Sequence, residues 1–362
     1  MLVRLGALRQ FGTARAIPRA AVLISLVLEV PLLTRVATQM TGDPRIESLE
    51  IDGVPVELTR PRRGGPWPAW VFVTGAHPER RNEPVVQRLA RALARSGYVC
   101  LVPDLPGLGE GQVTQRTLDA AVAVIESAAS RDDVRDRRVA LCGASTGASI
   151  ALLAAARPEL AGRISTVAAV TPYADLEQIV ALATTRVYPG QGGSELHDVT
   201  ALLRRSVARS LCAALSGEER DRLLALLSDE SEDIDPLEPF IELDGSDLSA
   251  PAKAAVAVLA NRDPARFREL YAALPTDVQS LVRSLSPLAC AGGARVPVEL
   301  IVPPTDIYFP MGEATSLARS LPNARLTVTG TLDHTRPALS LGGVPDLLRF
   351  QGFVLRGLAG SL

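Results

Sequence analysis

The 362-residue chain has no strong excess of charge of either sign. Lysine and arginine together number 38, against 40 aspartates and glutamates, which gives a formal net charge of -2. Arginine supplies nearly all of the positive charge and forms no long basic block, so the chain lacks the electrostatic footprint of a nucleic-acid-binding protein. We therefore expect no nucleic-acid partner.

Cysteine is scarce and gives no recognisable pattern. Cys100 and Cys142 lie in apolar runs, which is typical of buried thiols. The four cysteines contain no CxxC pair and no nearby histidine at metal-ligand spacing, and they stand at Cys100, Cys142, Cys212 and Cys290. We expect no metal or other cofactor, and a reducing, cytoplasmic compartment fits this usage.

The chain also lacks an apolar run of the length that crosses a membrane. The run Ala20 to Leu33 follows several arginines but has only about 14 residues and is interrupted by Glu29 and Pro31, whereas a spanning helix needs roughly 20. Three interpretations stay open: a packed or interfacial amphipathic helix, a membrane anchor through residues 1–40, and a cleaved signal. No convincing small-residue cleavage site follows the run.

From residue 46 onward the chain alternates predicted strands with predicted helices. Asp52-Gly53 favours a two-residue hairpin turn, and the apolar run Ala69 to Gly75 is typical of a strand buried on both faces. The following strands are YVCLVPDL, RVALCGAS and ISTVAAVTPYAD, and the helices beside them are TLDAAVAVIESAAS and TGASIALLAAA. This alternation predicts an α/β protein with a mostly parallel sheet flanked by helices.

The alternation stops after Asp175 and resumes with the strand VPVELIV and the strand ARLTVTG. Between Asp175 and the strand VPVELIV the pattern is mostly helical. We therefore predict four parts. Residues 1–45 form an N-terminal apolar or amphipathic segment. Residues 46–175 and 294–362 form the two parts of an α/β core, and residues 176–293 form a helical cap inserted between them.

A serine stands where a predicted strand meets a predicted helix. Gly143, Ser145 and Gly147 satisfy G-x-S-x-G in the strand, sharp turn and helix context that a nucleophile elbow requires. Glycines relieve the crowding where the strand and the helix meet, and the helix start supplies free N–H groups. The motif therefore makes Ser145 the candidate nucleophile.

A serine nucleophile needs a base, and the chain has only three histidines. His334 follows the last predicted strand and should lie at the carboxyl edge of the sheet, where Ser145 also emerges. We predict that His334 is the base. His77 follows another strand and should line the oxyanion loop or the pocket mouth, and His197, in the insertion, is expected to be a solvated loop residue.

The base in turn needs a carboxylate that fixes its tautomer. Asp306 ends the segment ELIVPPTD at the same predicted edge and precedes His334 by 28 positions, so it is the predicted acid. Asp175, at the end of an earlier strand, is the alternative, and Asp333 should point away from its neighbour His334.

These features resemble the α/β-hydrolase family. The resemblance covers about residues 46–358 and depends on the elbow GASTG, on the chain order Ser145, Asp306, His334, and on the glycine-rich DLPGLGEG that follows a strand. It implies an eight-stranded sheet with a helical cap inserted after the strand that follows the elbow helix, where residues 176–293 fall.

The resemblance also implies an oxyanion hole. Its donors would be the backbone N–H groups of Thr146 and Ala76, and Gly75 and His77 would contact the substrate. The chain has Thr74-Gly75 where His-Gly is common in the family, which leaves the second donor open. The implied reaction is acyl transfer through Ser145.

The predicted substrate is a small-molecule carboxylic ester with a small or apolar acyl part. A thioesterase, a peptidase, a carbon–carbon hydrolase and a non-catalytic membrane-associated binding protein are the alternatives. Within the insertion, residues 218–247 hold twelve acidic and two basic residues, expected to be mainly solvated surface. Apolar positions there, such as Leu223, Leu227, Phe267 and Tyr271, are predicted to form the insertion's own core.

Overall fold

The computed structural model describes residues 2–190, 193–337 and 343–362. Its strands are β1 (Arg45–Ile51), β2 (Val54–Arg60), β3 (Trp67–Val73), β4 (Val99–Pro103), β5 (Val134–Ala144), β6 (Ile164–Val170), β7 (Val187–Gly190), β8 (Gly193–Leu196), β9 (Val298–Val302), β10 (Ala324–Val328), β11 (Leu332–Asp333) and β12 (Arg336–Pro337). Eight of them form one sheet in the order β1-β2-β4-β3-β5-β6-β9-β10.

The main sheet is antiparallel at one edge and parallel elsewhere. β2 pairs antiparallel with β1 and with β4, and all pairs from β4 across to β10 are parallel. Asp52 and Gly53 both have positive φ, 49° and 75°, as a tight two-residue hairpin turn requires. The predicted mostly parallel eight-stranded sheet is confirmed.

Helices cover both faces of the sheet. They are α1 (Leu2–Val27), α2 (Pro31–Thr41), α3 (Pro84–Arg95), α4 (Gln115–Ser130), α5 (Thr146–Ala155), α6 (Leu176–Thr185), α7 (Ala201–Ala213), α8 (Gly217–Ala225), α9 (Glu238–Glu242), α10 (Ala250–Ala260), α11 (Pro264–Ala272), α12 (Thr276–Ser284), α13 (Pro287–Cys290), α14 (Met311–Ser320) and α15 (Val344–Gly360). Helices α6 to α13 all fall between β6 and β9, where the helical insertion was predicted.

Each face of the sheet has its own apolar core. Along β3, Val71 and Val73 belong to the cluster that includes α4, α5 and the insertion, whereas Trp70 and Phe72 belong to the cluster that includes α1, α3 and α15. This division follows from the strand period of two, because successive side chains point to opposite faces. We call the second side the α1 face.

The N-terminal segment is a helix packed on the protein. Helix α1 contacts α15 and α3, and its apolar stripe at Ala16, Ala20, Leu23 and Leu26 is buried in the core of the α1 face. The segment Glu29 to Pro31 ends this helix and begins α2. Among the described helices, none combines the length and the apolar character that a bilayer-crossing segment requires.

The apolar side chains of the insertion are buried, as predicted, but the expectation of a separate core is wrong: they belong to the same cluster as β3, α4 and α5. Leu223, Leu227, Phe267, Tyr271 and Leu274 are all buried, and they pack within the same cluster as the rest of the insertion. Burial of several side chains of this size contributes about 1.5–3 kcal/mol each to stability.

The acidic run at residues 218–247 was expected to be mainly solvated surface, but part of it pairs with buried arginines. Arg204 and Arg205 of α7 are each only 2% exposed, and they form ion pairs with acidic residues of the run. Arg204 Nη1 lies 2.8 Å from Asp235 Oδ2, and Arg205 lies 3.6 Å from Glu230. Part of the run therefore neutralises buried arginines, because a buried cation needs a nearby anion.

A buried carboxylate joins the insertion to the core. Glu313 on α14 accepts the backbone N–H groups of Ala174 and Asp175 at 2.6 and 3.0 Å, and the Tyr188 hydroxyl donates to it at 2.7 Å. Burial raises the pKa of Glu313 above its ordinary value. These bonds fix the chain where it leaves β6 and enters α6.

Candidate active site

Ser145 lies at the corner between β5 and α5 with a backbone conformation that is rare for residues other than glycine. Its φ is 54° and its ψ is -128°, and its N–H donates to the Val170 carbonyl at 2.8 Å. Such a conformation costs about 1–3 kcal/mol and persists only where the surroundings enforce it. The side chain consequently leaves the corner at the carboxyl edge of the sheet.

The two flanking glycines are required by space. A Cβ at Gly147 would overlap the carbonyl oxygens of Val73 and Thr74, and a Cβ at Gly143 would overlap the backbone of Gly147 and Ala148. The close approach of the helix start to β3 therefore explains the glycine spacing around the serine.

His334 and Asp306 meet in a short hydrogen bond. The distance from His334 Nδ1 to Asp306 Oδ2 is 2.7 Å, and the Asp306 side chain is only 3% exposed. The other carboxylate oxygen, Oδ1, accepts the backbone N–H groups of Tyr308 and Phe309 at 2.7 and 3.2 Å. Asp306 is thus held by its own loop and leaves Nε2 of the imidazole for another partner.

Two aromatic rings pack around the imidazole. The Tyr308 ring centroid lies 4.3 Å from that of His334, and the Phe309 centroid lies 6.2 Å away with its edge toward the imidazole. Burial raises the pKa of Tyr308, so its hydroxyl stays protonated at neutral pH. Neither ring was predicted from the sequence, although they stand only two and three positions after Asp306.

Ser145 and His334 line one cavity of about 620 Å³. Gly75, Ala76 and His77 line it as well, so the predicted substrate-contacting residues share that space. Within the ranges that the structure describes, no hydrogen bond joins the Ser145 hydroxyl to His334. Catalytic hydrogen bonds of this kind are often long before a substrate is bound.

Two backbone N–H groups of the cavity wall, those of Thr146 and Ala76, have no acceptor among the described residues. Thr146 is the first residue of α5, so its N–H has no partner within the helix. In the described part of the chain, neither that N–H nor the N–H of Ala76 donates a hydrogen bond. The Gly75 backbone approaches Ser145 closely, since a Cβ there would lie 3.9 Å from Ser145 Oγ. Two donors thus line the cavity that Ser145 lines, and one of them, the Thr146 N–H, lies at a helix end that favours negative charge.

The alternative residues occupy other places. Asp175 accepts the N–H of Glu177 at 3.0 Å and caps α6, and His197 lies in the insertion, where its N–H donates to the Arg186 carbonyl. Asp333 is exposed at the cavity mouth, in the short β11–β12 hairpin. Of the three aspartates considered, Asp306 is the one bonded to His334.

The cavity extends far from the serine, along the α1 face. Leu23 and Val27 of α1 line it together with Phe350 and Phe353 of α15. From the sequence, α1 was expected to be a packed or interfacial helix, an anchor or a signal, and a role in lining the cavity was not predicted. This role could not be predicted, because the local sequence does not determine which face of the sheet α1 packs against.

The sheet topology and the serine corner define a hydrolase of the α/β-hydrolase fold. A family model described as X-Pro dipeptidyl-peptidase (S15 family) matches residues 52–254, and the chain belongs to that family. No curated protein matches the sequence.

Solved structures of several hydrolases are similar to this chain. They include a 2,6-dihydroxy-pseudo-oxynicotine hydrolase (15% identity, 98% of this chain and 83% of that chain, TM-score 0.48). An esterase of Pyrococcus furiosus is 14% identical, over 88% of this chain and 91% of that chain, with a TM-score of 0.47. A proline iminopeptidase of Mycobacterium smegmatis is 16% identical, over 87% and 97% of the two chains, with a TM-score of 0.45.

Proposed function

We propose that this hydrolase cleaves carboxylic esters through a covalent acyl-enzyme on Ser145. The observation that carries the proposal is the hydrogen bond of 2.7 Å between Asp306 and His334, at the cavity that also contains Ser145. A histidine oriented by a buried carboxylate, in one cavity with a serine on a strained corner, is an arrangement typical of a serine hydrolase.

The proposed reaction has two halves. Ser145 Oγ attacks the ester carbonyl while His334 takes its proton, and the protonated imidazole then gives that proton to the leaving alcohol. Water, deprotonated by the same imidazole, releases the acid from the serine. Asp306 holds the imidazole tautomer throughout. The N–H groups of Thr146 and Ala76 stabilise the oxyanion, and the loss of one such donor raises the barrier by about 3 kcal/mol.

The main alternative is cleavage of a peptide bond after proline, as the family's name suggests. It would require an anion near the site that binds the substrate's amino terminus. Glu83 and Asp333 both line the cavity and could supply it. Glu83, however, lies 3.6 Å from the Arg336 guanidinium, which partly neutralises it. The apolar lining at some distance from the serine favours the ester.

The test combines a covalent probe with two substrate types. A fluorophosphonate should label the wild-type chain and should not label Ser145→Ala, whose hydrolysis of p-nitrophenyl butyrate should fall by at least about 10⁴-fold. Ser149→Ala is the matched control, because Ser149 lies one turn along α5 and donates to the Tyr173 carbonyl instead.

Hydrolysis of a dipeptidyl Xaa-Pro nitroanilide faster than of the ester would favour the peptidase. Absence of labelling in a folded wild-type chain would contradict both enzymes.

A further inference from the structure

The cavity follows one strand away from the serine. Trp70, Phe72 and Thr74 all line it, and they are alternate residues of β3 and the loop directly after it, on the α1 face. Four residues of strand from Trp70 to Thr74 span about 13 Å. Thr74 is at the carboxyl edge near Ser145, so Trp70 marks the deep end of the cavity.

Helix α15 gives a second measure of the same depth. Phe350, Val354 and Gly357 line the cavity at spacings of four and three residues, which places them along one side of the helix. Seven residues of helix advance about 10 Å. A Cβ at Gly357 would lie 3.7 Å from the Trp70 ring and 3.9 Å from Ala168 Cβ, so Gly357 also belongs to the deep end.

Small side chains on the central strands leave this space open. Cys142 of β5 pairs with Ala168 of β6, and both line the cavity. The strand on one side contributes Phe72, and β9 on the other side contributes Ile301, so bulky residues flank a row of small ones. Leu23, Ile24 and Val27 of α1 close the cavity opposite the sheet.

The deep part of the cavity offers nothing for a charged ligand. The charged lining residues are Glu83 before α3, Arg88 on α3, and Asp333 and Arg336 in the β11–β12 hairpin. Arg88 is itself paired with Glu29 at 2.8 Å. Burial raises the pKa of Cys142 to about 12, so its thiol is neutral. An occupant of the deep part must therefore be uncharged and mainly apolar, and the polar group to note there is the Trp70 indole N–H, which is buried without a hydrogen-bond partner in the described part of the chain.

We infer that the cavity holds the acyl chain of a medium-chain ester, an inference that rests on the proposed function. The chain lies between the sheet and α1, α3 and α15, with its carbonyl at Ser145 and its methyl end near Trp70 and Gly357. An extended hydrocarbon advances about 1.25 Å per carbon–carbon bond of about 1.5 Å, so a depth of about 12 Å accepts roughly ten carbons. Helix α1 is then a wall of the substrate site.

The test measures kcat/KM on p-nitrophenyl esters from acetate to palmitate. For the wild-type chain the value should rise at least tenfold from butyrate to decanoate, since each buried CH₂ can add up to about fourfold. It should fall again at palmitate. Gly357→Leu should lower the decanoate-to-butyrate ratio at least tenfold, because the new side chain occupies the deep end. The decanoate-to-butyrate ratio does not depend on the amount of folded protein, because the enzyme concentration cancels.

Gly352→Leu is the matched control. Gly352 lies on the same helix outside the cavity lining, and a Cβ there would meet only the end of the Arg356 side chain. Both changes replace a helical glycine by leucine, so they share the gain in helix propensity. The control should keep the wild-type ratio.

Two results would overturn the inference. One is a wild-type kcat/KM that stays flat or falls from butyrate to decanoate, with esters still hydrolysed. The other is an unchanged ratio in Gly357→Leu. If no ester is hydrolysed, the proposed function fails, and calorimetric titration with decanoate then tests the cavity alone. Decanoate should bind the wild-type chain at least tenfold more tightly than Gly357→Leu, and equal binding would contradict the acyl site.

Discussion

Two residues of the proposed triad have left-handed backbone. Ser145 has a φ of 54° and His334 a φ of 48°, a region that side chains other than glycine rarely adopt. Ser145 is held there by its N–H bond to Val170 and by the tight contact of Gly147 with β3. His334 is held by Asp306 and by the Tyr308 ring. The fold thus holds local backbone strain at the two residues to which the proposal assigns the reaction.

Asp306→Asn should separate the role of the carboxylate in catalysis from its role in the loop. The asparagine oxygen can still accept the N–H groups of Tyr308 and Phe309, so the loop should stay folded. Its amide would instead donate to His334 Nδ1 and stabilise the wrong tautomer. We expect kcat on butyrate esters to fall by about 10⁴-fold with little change in the thermal midpoint. A kcat within tenfold of wild type would contradict the proposed role of Asp306.

At the scale of single residues, the candidate nucleophile, base and acid could be chosen from the sequence. The strand-to-helix context around Ser145 is local, and the scarcity of histidine narrowed the choice of base. The Asp306–His334 hydrogen bond agrees with the predicted pairing, but the roles of these residues stay predictions. The rings of Tyr308 and Phe309 were missed, because their contact with the imidazole depends on how the loop after β9 folds back.

Among the elements, the insertion is joined to the core at a buried carboxylate rather than through apolar contacts alone. Glu313 accepts three hydrogen bonds from the segment around α6 and β7, and it is 1% exposed. Without these bonds, two backbone N–H groups and one hydroxyl would be buried without an acceptor. Each such group costs about 1–3 kcal/mol.

Glu313→Ala should therefore lower the free energy of unfolding by about 3 kcal/mol or more. Glu313→Gln should cost less, because its amide oxygen still accepts hydrogen bonds and because burial already disfavours the charged carboxylate. Urea titration followed by tryptophan fluorescence gives both values. Glu126→Ala, at an exposed position of α4, should change the value by less than about 0.5 kcal/mol. Equal losses in Ala and Gln variants would contradict this account.

The elements themselves were largely predictable. Apolar runs such as the one in β3 and the i, i+3, i+4 spacing in α3 are local patterns that the folded chain keeps. The pairing of Arg204 with Asp235 was not predictable, since the acidic run gave no sign that buried cations lie on α7. The order of the strands follows general rules for parallel sheets, but the cavity on the α1 face depends on side-chain volumes across several strands.

In the whole molecule, the N-terminal segment is an integral layer. Helix α1 lies against α3 and α15 and buries apolar side chains in a core shared with the sheet. This packing favours the packed-helix interpretation of the segment over the anchor. The apolar run looked ambiguous in the sequence, because a helix that packs on a protein and one that lies in a membrane interface share the same apolar stripe.

Leu26→Glu and Leu32→Glu distinguish the two interpretations. Leu26 is 8% exposed and lies outside the cavity lining, whereas Leu32 on α2 is 73% exposed. If α1 is a packed layer, Leu26→Glu should lower the free energy of unfolding by about 3 kcal/mol or more, and Leu32→Glu should change it little. Urea titration measures both.

Flotation with phosphatidylglycerol vesicles completes the comparison. The wild-type chain should stay in the aqueous fraction. Vesicle binding that both variants weaken, with unfolding energies unchanged, would instead favour the anchor.

Two residues of α15 that line the cavity are spaced about one helical turn apart, so each lies at a different depth of the cavity. Val354 and Gly357 stand at successive turns, so a bulkier side chain at one or the other would shorten the cavity to depths that differ by about 5 Å, or roughly four carbons. Because both positions are on one helix, single substitutions there would give enzymes of different chain-length preference without altering the corner at Ser145.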